Sequence, residues 1–173
     1  MGDVTANALR GLVKTLDDVV APAIPADDPL ALQELKLTIR YLNFARERVD
    51  HLYARARFEL NFYSDLLGEL VPLLEKAHSP QVDGLAQLRQ RAQALLAQPG
   101  AGISDLRSLA QDMMTGISAM LEALTDVDVL RPLERAIVLA SAEITAFDRS
   151  WYAPMKLERF PEQVRPLSSF IPA

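Results

Sequence analysis

The sequence predicts an all-α protein: an elongated antiparallel helical bundle of about five helices, built on one very long helix and finished by an extended Pro-rich C-terminal arm. Three observations carry this. From Leu30 to Lys76, apolar residues return at three- and four-residue steps: Leu35, Ile39, Leu42, Val49, Tyr53, Ala56, Leu60, Tyr63, Leu67, Leu70 and Leu74. No Gly or Pro interrupts that stretch before Gly68, so it reads as one helical stripe. No segment shows the apolar–polar alternation of a half-buried strand. The Pro and Gly clusters fall between periodic segments, at 22–29, 99–102 and beyond 152.

Taken in order, residues 1–20 predict a first helix, with Leu9, Leu12, Val13, Leu16, Val19 and Val20 on its apolar face and Asp3 or Thr5 as cap. Residues 21–29 hold Pro22, Pro25 and Pro29 and predict a rigid linker. Asp27 or Asp28 then caps the spine helix, 30–78, with Pro29 in its first turn. At 1.5 Å per residue its uninterrupted part would span roughly 55–60 Å, about twice a small domain's diameter. Shorter helices must tile along it, or a second copy must cover the rest. Gly68 and Pro72 predict a kink near 68–72, because an interior proline costs about 3 kcal/mol in a straight helix.

Ser79 and Pro80 open the helix 80–98, with Val82, Leu85, Leu88, Ala92, Leu95 and Leu96 inward. Ser104 is expected to cap 104–125, whose inward face is Leu106, Leu109, Met113, Ile117, Met120, Leu121 and Leu124. Pro132 is expected in the first turn of 131–151, with Leu133, Ile137, Ala140, Ile144, Phe147 and Trp151 inward. In 152–173, Pro154, Pro161, Pro166 and Pro172 forbid a long helix, yet Phe160, Leu167, Phe170 and Ile171 are too apolar for a free tail. The arm should lie in a groove of its own bundle or of a partner subunit. The length suits a single domain, 1–173.

Composition excludes several classes. A chain that is 50% apolar and 24% charged is globular. A net charge of −5 argues against general binding of nucleic acid or anionic membrane. Without cysteine there is no disulfide, thiolate metal site or cysteine nucleophile, which fits a reducing compartment. The start MGDVTANALRG lacks the pattern of a signal peptide, and Ala6 stands where a myristoylation motif wants Ser or Thr. No apolar run is long enough to span a bilayer. A cytoplasmic location is expected.

The densest candidate chemistry lies in RYLNFARERVDHLYARAR, residues 40–57, where Arg40, Arg46, Arg48, Arg55 and Arg57 outnumber Glu47 and Asp50. At helical spacing Arg48, His51 and Arg55 share one face, and Arg46, Asp50, Tyr53 and Arg57 another. Guanidinium groups suit carboxylates and phosphates because their donors form a flat fork. Arg46 falls within the apolar stripe, so it must pair or snorkel, most simply with Asp50 four residues on. Glu47 and His51 also stand four apart, but no nucleophile can be named beside them, and a salt-linked surface is the simpler reading. Glu75 and His78 form a single Glu-x-x-His where di-iron bundles use two, and His78 sits at a helix end, so neither metal nor cofactor is expected. No catalytic residue is assigned.

Two functional readings follow. The first is a non-catalytic interaction or accessory protein, acting through its surfaces as a homodimer, with the arginine-rich stretch as a subunit contact or a dock for an acidic partner. The second is a bundle that binds a small apolar anion. Met113, Met120, Tyr53 and Phe62 would line its pocket and Arg46 or Arg57 would hold the anionic head. Attachment to a lipid surface fits poorly, because Glu47, Asp50, Glu59, Asp65 and Glu69 interrupt the polar face.

Overall fold

The computed structural model describes residues 4–171, so the Asp3 cap, the Gly2 position and Pro172 lie outside the described residues. Among the described residues there is no strand, and the chain is an all-α bundle. Its helices are α1 (Val4–Thr15), α2 (Pro29–Arg48), α3 (Leu52–Lys76), α4 (Val82–Ala97), α5 (Ile103–Ala123) and α6 (Val127–Tyr152). α2 and α3 are the two parts of one 48-residue helical run, so the predicted spine is present. Where the sequence predicts a single domain, the contacts divide into two compact units, 4–52 with 148–167 and 53–147 with 168–171. No helix among the described residues is long and apolar enough to cross a membrane.

In the first unit, α1 packs on α2. The half-buried Leu9, Val13 and Leu16 mark the face that α1 uses. Helical structure then continues past Thr15 as a π turn, Leu16–Val20, and a last turn, Ala21–Ala23. Pro22 therefore sits inside the helix's end, and the linker shortens to 24–28. The cause is local: Pro22 has no N–H to return to Asp18, and the Ala21 N–H reaches five residues back to the Leu16 carbonyl. Asp28 caps α2 as expected, its Oδ1 accepting from the Ala31 N–H at 3.0 Å. Only Leu35, Ser150, Trp151 and Met155 are buried among this unit's described residues.

The second unit holds the main core. Leu60, Leu67, Leu70 and Leu74 of α3 meet Leu85 and Ala92 of α4, Leu106, Met113, Ile117 and Met120 of α5, and Leu133 of α6. α4 and α5 pack closely because Gly116 offers no side chain: a Cβ there would lie 3.1 Å from Leu85 Cδ2 and 3.3 Å from Leu88 Cδ1. α3 is continuous helix through Gly68 and Pro72. Burial of Leu67, Leu70, Val71 and Leu74 around that proline offsets its penalty of about 3 kcal/mol. The lapse from α geometry comes earlier, at the 3-10 turn Val49–His51.

α3 ends on a left-handed residue, His78 (φ 51). The His78 N–H donates to the Glu75 carbonyl and the Ser79 N–H to the Leu74 carbonyl, both at 3.0 Å, which is a Schellman closure. Three expected starts move. Ser79 does not cap α4, which begins at Val82 behind Gln81. Ser104 is already inside α5, which begins at Ile103 behind Gly102. α6 begins at Val127, five residues before Pro132; Asp126 Oδ1 accepts from the Asp128 N–H at 2.9 Å and serves as its cap.

The C-terminal segment is extended apart from short 3-10 turns at Ala153–Met155, Pro161–Gln163 and Leu167–Ser169. In the first unit Arg149 holds Glu158 bidentately, Nε to Oε1 and Nη2 to Oε2, both at 3.0 Å. Those hydrogen bonds lower the Glu158 pKa from the ordinary carboxylate value, so the pair's contribution exists above that value and disappears as pH falls through the depressed one. In the second unit Phe170 stands edge-on to Phe58 and Phe147, with centroids 6.0 and 5.6 Å away, and Ile171 is buried. The tip of the arm therefore packs on its own chain.

Candidate functional site

The arginine-rich stretch has a structural use. Arg48 donates from Nε to the Trp151 carbonyl at 2.8 Å and from Nη2 to the Ser150 carbonyl at 3.2 Å. Those carbonyls belong to the last turn of α6, where the regular ladder of helix hydrogen bonds runs out. The Arg48 guanidinium also lies 5.5 Å from the Trp151 ring centroid. Burial lowers its pKa from the ordinary guanidinium value, with the Glu47 charge opposing that shift. In the second unit Arg57 repeats the pattern: its Nη2 donates to the Leu96 carbonyl at 2.8 Å, in the last turn of α4. Arg55 pairs with Glu59 at 2.6 Å. A cation at a helix C-terminus gains from the helix dipole as well as from the hydrogen bonds.

The other predicted residues do not converge. Arg46 is half-buried and forms no hydrogen bond or ion pair with the described residues, so the expected Arg46–Asp50 pair is absent. His51 lies in the 3-10 turn, and no bond to Glu47 joins it among the described residues. Met113 and Met120 are sealed in the core at 0% and 1% exposure, filling it as flexible thioethers do. Tyr53 and Arg57 line a groove of about 500 Å³ with Phe58, Leu96 and Phe170. Phe62 lines a separate groove of about 330 Å³. The expected pocket shared by Met113, Met120, Tyr53 and Phe62 is not formed among the described residues. His78 serves as the left-handed end of α3, and no group of three metal-ligating side chains gathers among the described residues.

What the sequence reading missed is an outer apolar face. Leu12, Val19 and Val20, expected to be buried with Leu9 and Val13, are 53%, 64% and 37% exposed. On α2, Leu30, Leu37 and Tyr41 are also exposed, at spacings of seven and four that place them on one side of the helix. Leu35 and the half-buried Ile39 lie on the other side, toward α1. Val4 and Leu12 on α1, and Val19 in the turn after it, are exposed as well. The signal was in the sequence as apolar positions outside the predicted stripe, about half a turn from it on α2, and hydrophobicity alone invites merging the two. The chain matches no protein-family model, no curated protein and no solved structure.

Proposed function

We propose that this chain is a non-catalytic helical interaction protein of the cytoplasm that works as a homodimer through the outer face of α1 and α2. One observation carries the reading. Of the fifteen large apolar side chains exposed among the described residues, ten belong to the smaller unit, including Val4, Leu12, Val19, Leu30, Leu37 and Tyr41. That unit buries only three apolar side chains of its own, Leu35, Trp151 and Met155. A helical pair with so little core gains by burying its second face, at about 25 cal/mol per Å² of apolar surface removed from water.

A second copy is the occupant that the charges favour. α1 carries Arg10 and Lys14, and the turn after it carries Asp17 and Asp18. Two such helices meeting antiparallel about a two-fold axis bring the bases of one against the acids of the other and Leu12 against Val19. Arg48 and Arg57 are engaged with carbonyls of their own chain, so the proposed contact is the outer face of α1 and α2 and not the arginine-rich stretch.

The test is the solution mass of the full chain by native mass spectrometry and light scattering, beside the variant Leu12→Glu/Leu37→Glu. Both positions are exposed, so the variant keeps its fold and its circular dichroism. The expected results are twice 19.1 kDa for the parent chain and a monomer for the variant, with dimerisation weakened by about 100-fold or more, as buried unpaired carboxylates would impose. A parent chain that stays monomeric at tens of micromolar overturns the proposal.

A further inference from the structure

The groove that contains Phe62 differs from the others in its charge. Phe58, Phe62 and Leu66 of α3, with Ala140 of α6, form its apolar floor, and Asp65, Glu69 and Glu143 rim it. No basic residue lines it, whereas the groove beside it includes Arg57 and a third mixes Arg91 with Asp105 and Asp112. The floor is held firmly: Phe58 stacks on the fully buried Phe147 with centroids 4.0 Å apart and planes 24° apart. The rim is oriented too, since Asn61 Nδ2 donates to Asp65 Oδ2 at 2.8 Å. Asp65 and Glu69 stand exposed on α3. One turn before Glu143, Leu139 is 66% exposed.

From this geometry we infer that the groove between α3 and α6 docks a basic amphipathic helix of a partner protein. The inference rests on the interaction reading above and names the partner that reading lacked, with the charge opposite to the sequence-based expectation. The length of the groove points to a helix. Its lining on α3 runs from Phe58 to Glu69 at helical spacing, roughly 16 Å or three turns. A helix laid there presents apolar anchors at i, i+3 or i+4, and i+7 to the phenylalanines, while Lys or Arg on its flanks meet the carboxylates. The floor supplies burial, and the one-signed rim supplies orientation and rejects acidic helices.

The test uses the full chain and a fluorescein-labelled helical peptide with Leu anchors at those spacings and flanking lysines, read by anisotropy. A twin peptide carries glutamate in place of each lysine. The lysine peptide is expected to bind, more weakly as salt rises, and the glutamate twin to bind at least about 10-fold more weakly. Asp65→Asn/Glu69→Gln, which keeps shape and removes charge at two exposed sites, is expected to cost a further factor of about 10. Equal binding of the twins, or an unchanged affinity in the variant, overturns the inference. So does full competition by phenethylammonium at the peptide's own affinity, which would make the groove a small-cation site. The same samples are weighed in solution. A dimer that ignores the peptide overturns this inference alone, and a monomer that binds the lysine peptide overturns the dimer reading alone.

Discussion

Phe147→Ala is expected to destabilise the protein by about 3–5 kcal/mol, the largest loss that any single truncation should produce here. Phe147 is 0% exposed, stacks on Phe58 and receives the edge of Phe170. Its removal opens a cavity between three elements whose backbones cannot all collapse inward, so the lost transfer energy and the cavity cost add. It also unseats two aromatic contacts, each worth about 0.5–1.5 kcal/mol beyond the buried area. Phe147→Leu keeps most of the volume and loses the ring geometry, so about 1–2 kcal/mol is expected for it. Urea unfolding followed by far-ultraviolet circular dichroism measures both. A loss under 1 kcal/mol for Phe147→Ala would show that the three rings do not hold this part of the unit together.

The second large effect is expected at Arg48. Arg48→Ala should cost about 2–3 kcal/mol, since three charge-assisted hydrogen bonds go at once, two of them to part-buried carbonyls at the end of α6. Arg48→Lys should recover less than half, because an ammonium cannot span the Ser150 and Trp151 carbonyls as the planar fork does. The chain's single tryptophan is Trp151 itself, so its fluorescence in a thermal melt reports the contact directly. The arginine stays charged at any ordinary pH, so the loss should be the same at pH 6 and pH 9. If instead Arg48→Ala leaves the melt unchanged and abolishes phosphate binding, the arginine is a ligand residue and the capping account fails.

The architecture was legible because periodicity is a local property. The stripe from Ala56 to Leu74 requires only 3.6 residues per turn and a core to face, and the second unit supplies that core, whereas Tyr53, one step earlier in the predicted stripe, is exposed. Helix starts were less legible. Pro132 marks a start in isolation, but the Asp126 cap lies six residues upstream and wins. The 3-10 turn at Val49–His51 has no Gly or Pro to announce it. The partners of the arginines were hidden for a different reason. Arg48 and Arg57 find their acceptors 103 and 39 residues along the chain, a distance over which sequence spacing carries no information. Leu12 and Val19 were placed in the core because hydrophobicity says that a side chain seeks burial, without saying by what.

The seating of Phe170 against Phe58 and Phe147 has a kinetic side. Neighbouring helices such as α4 and α5 meet across a short loop and can pair early, when little loop entropy has to be surrendered. Phe58 and Phe170 lie more than a hundred residues apart in the chain, so their contact closes a very large loop and yields nothing until the helices between them are already in place. The aromatic tip therefore arrives after the rate-limiting step. Phe170→Ala should leave the folding arm of a chevron where it was and raise the unfolding arm, a φ-value near zero. A clearly slowed folding rate would instead put the tip in the nucleus. On this account the last side chain to reach the second unit governs how long the folded state persists, and has little influence on how fast it forms.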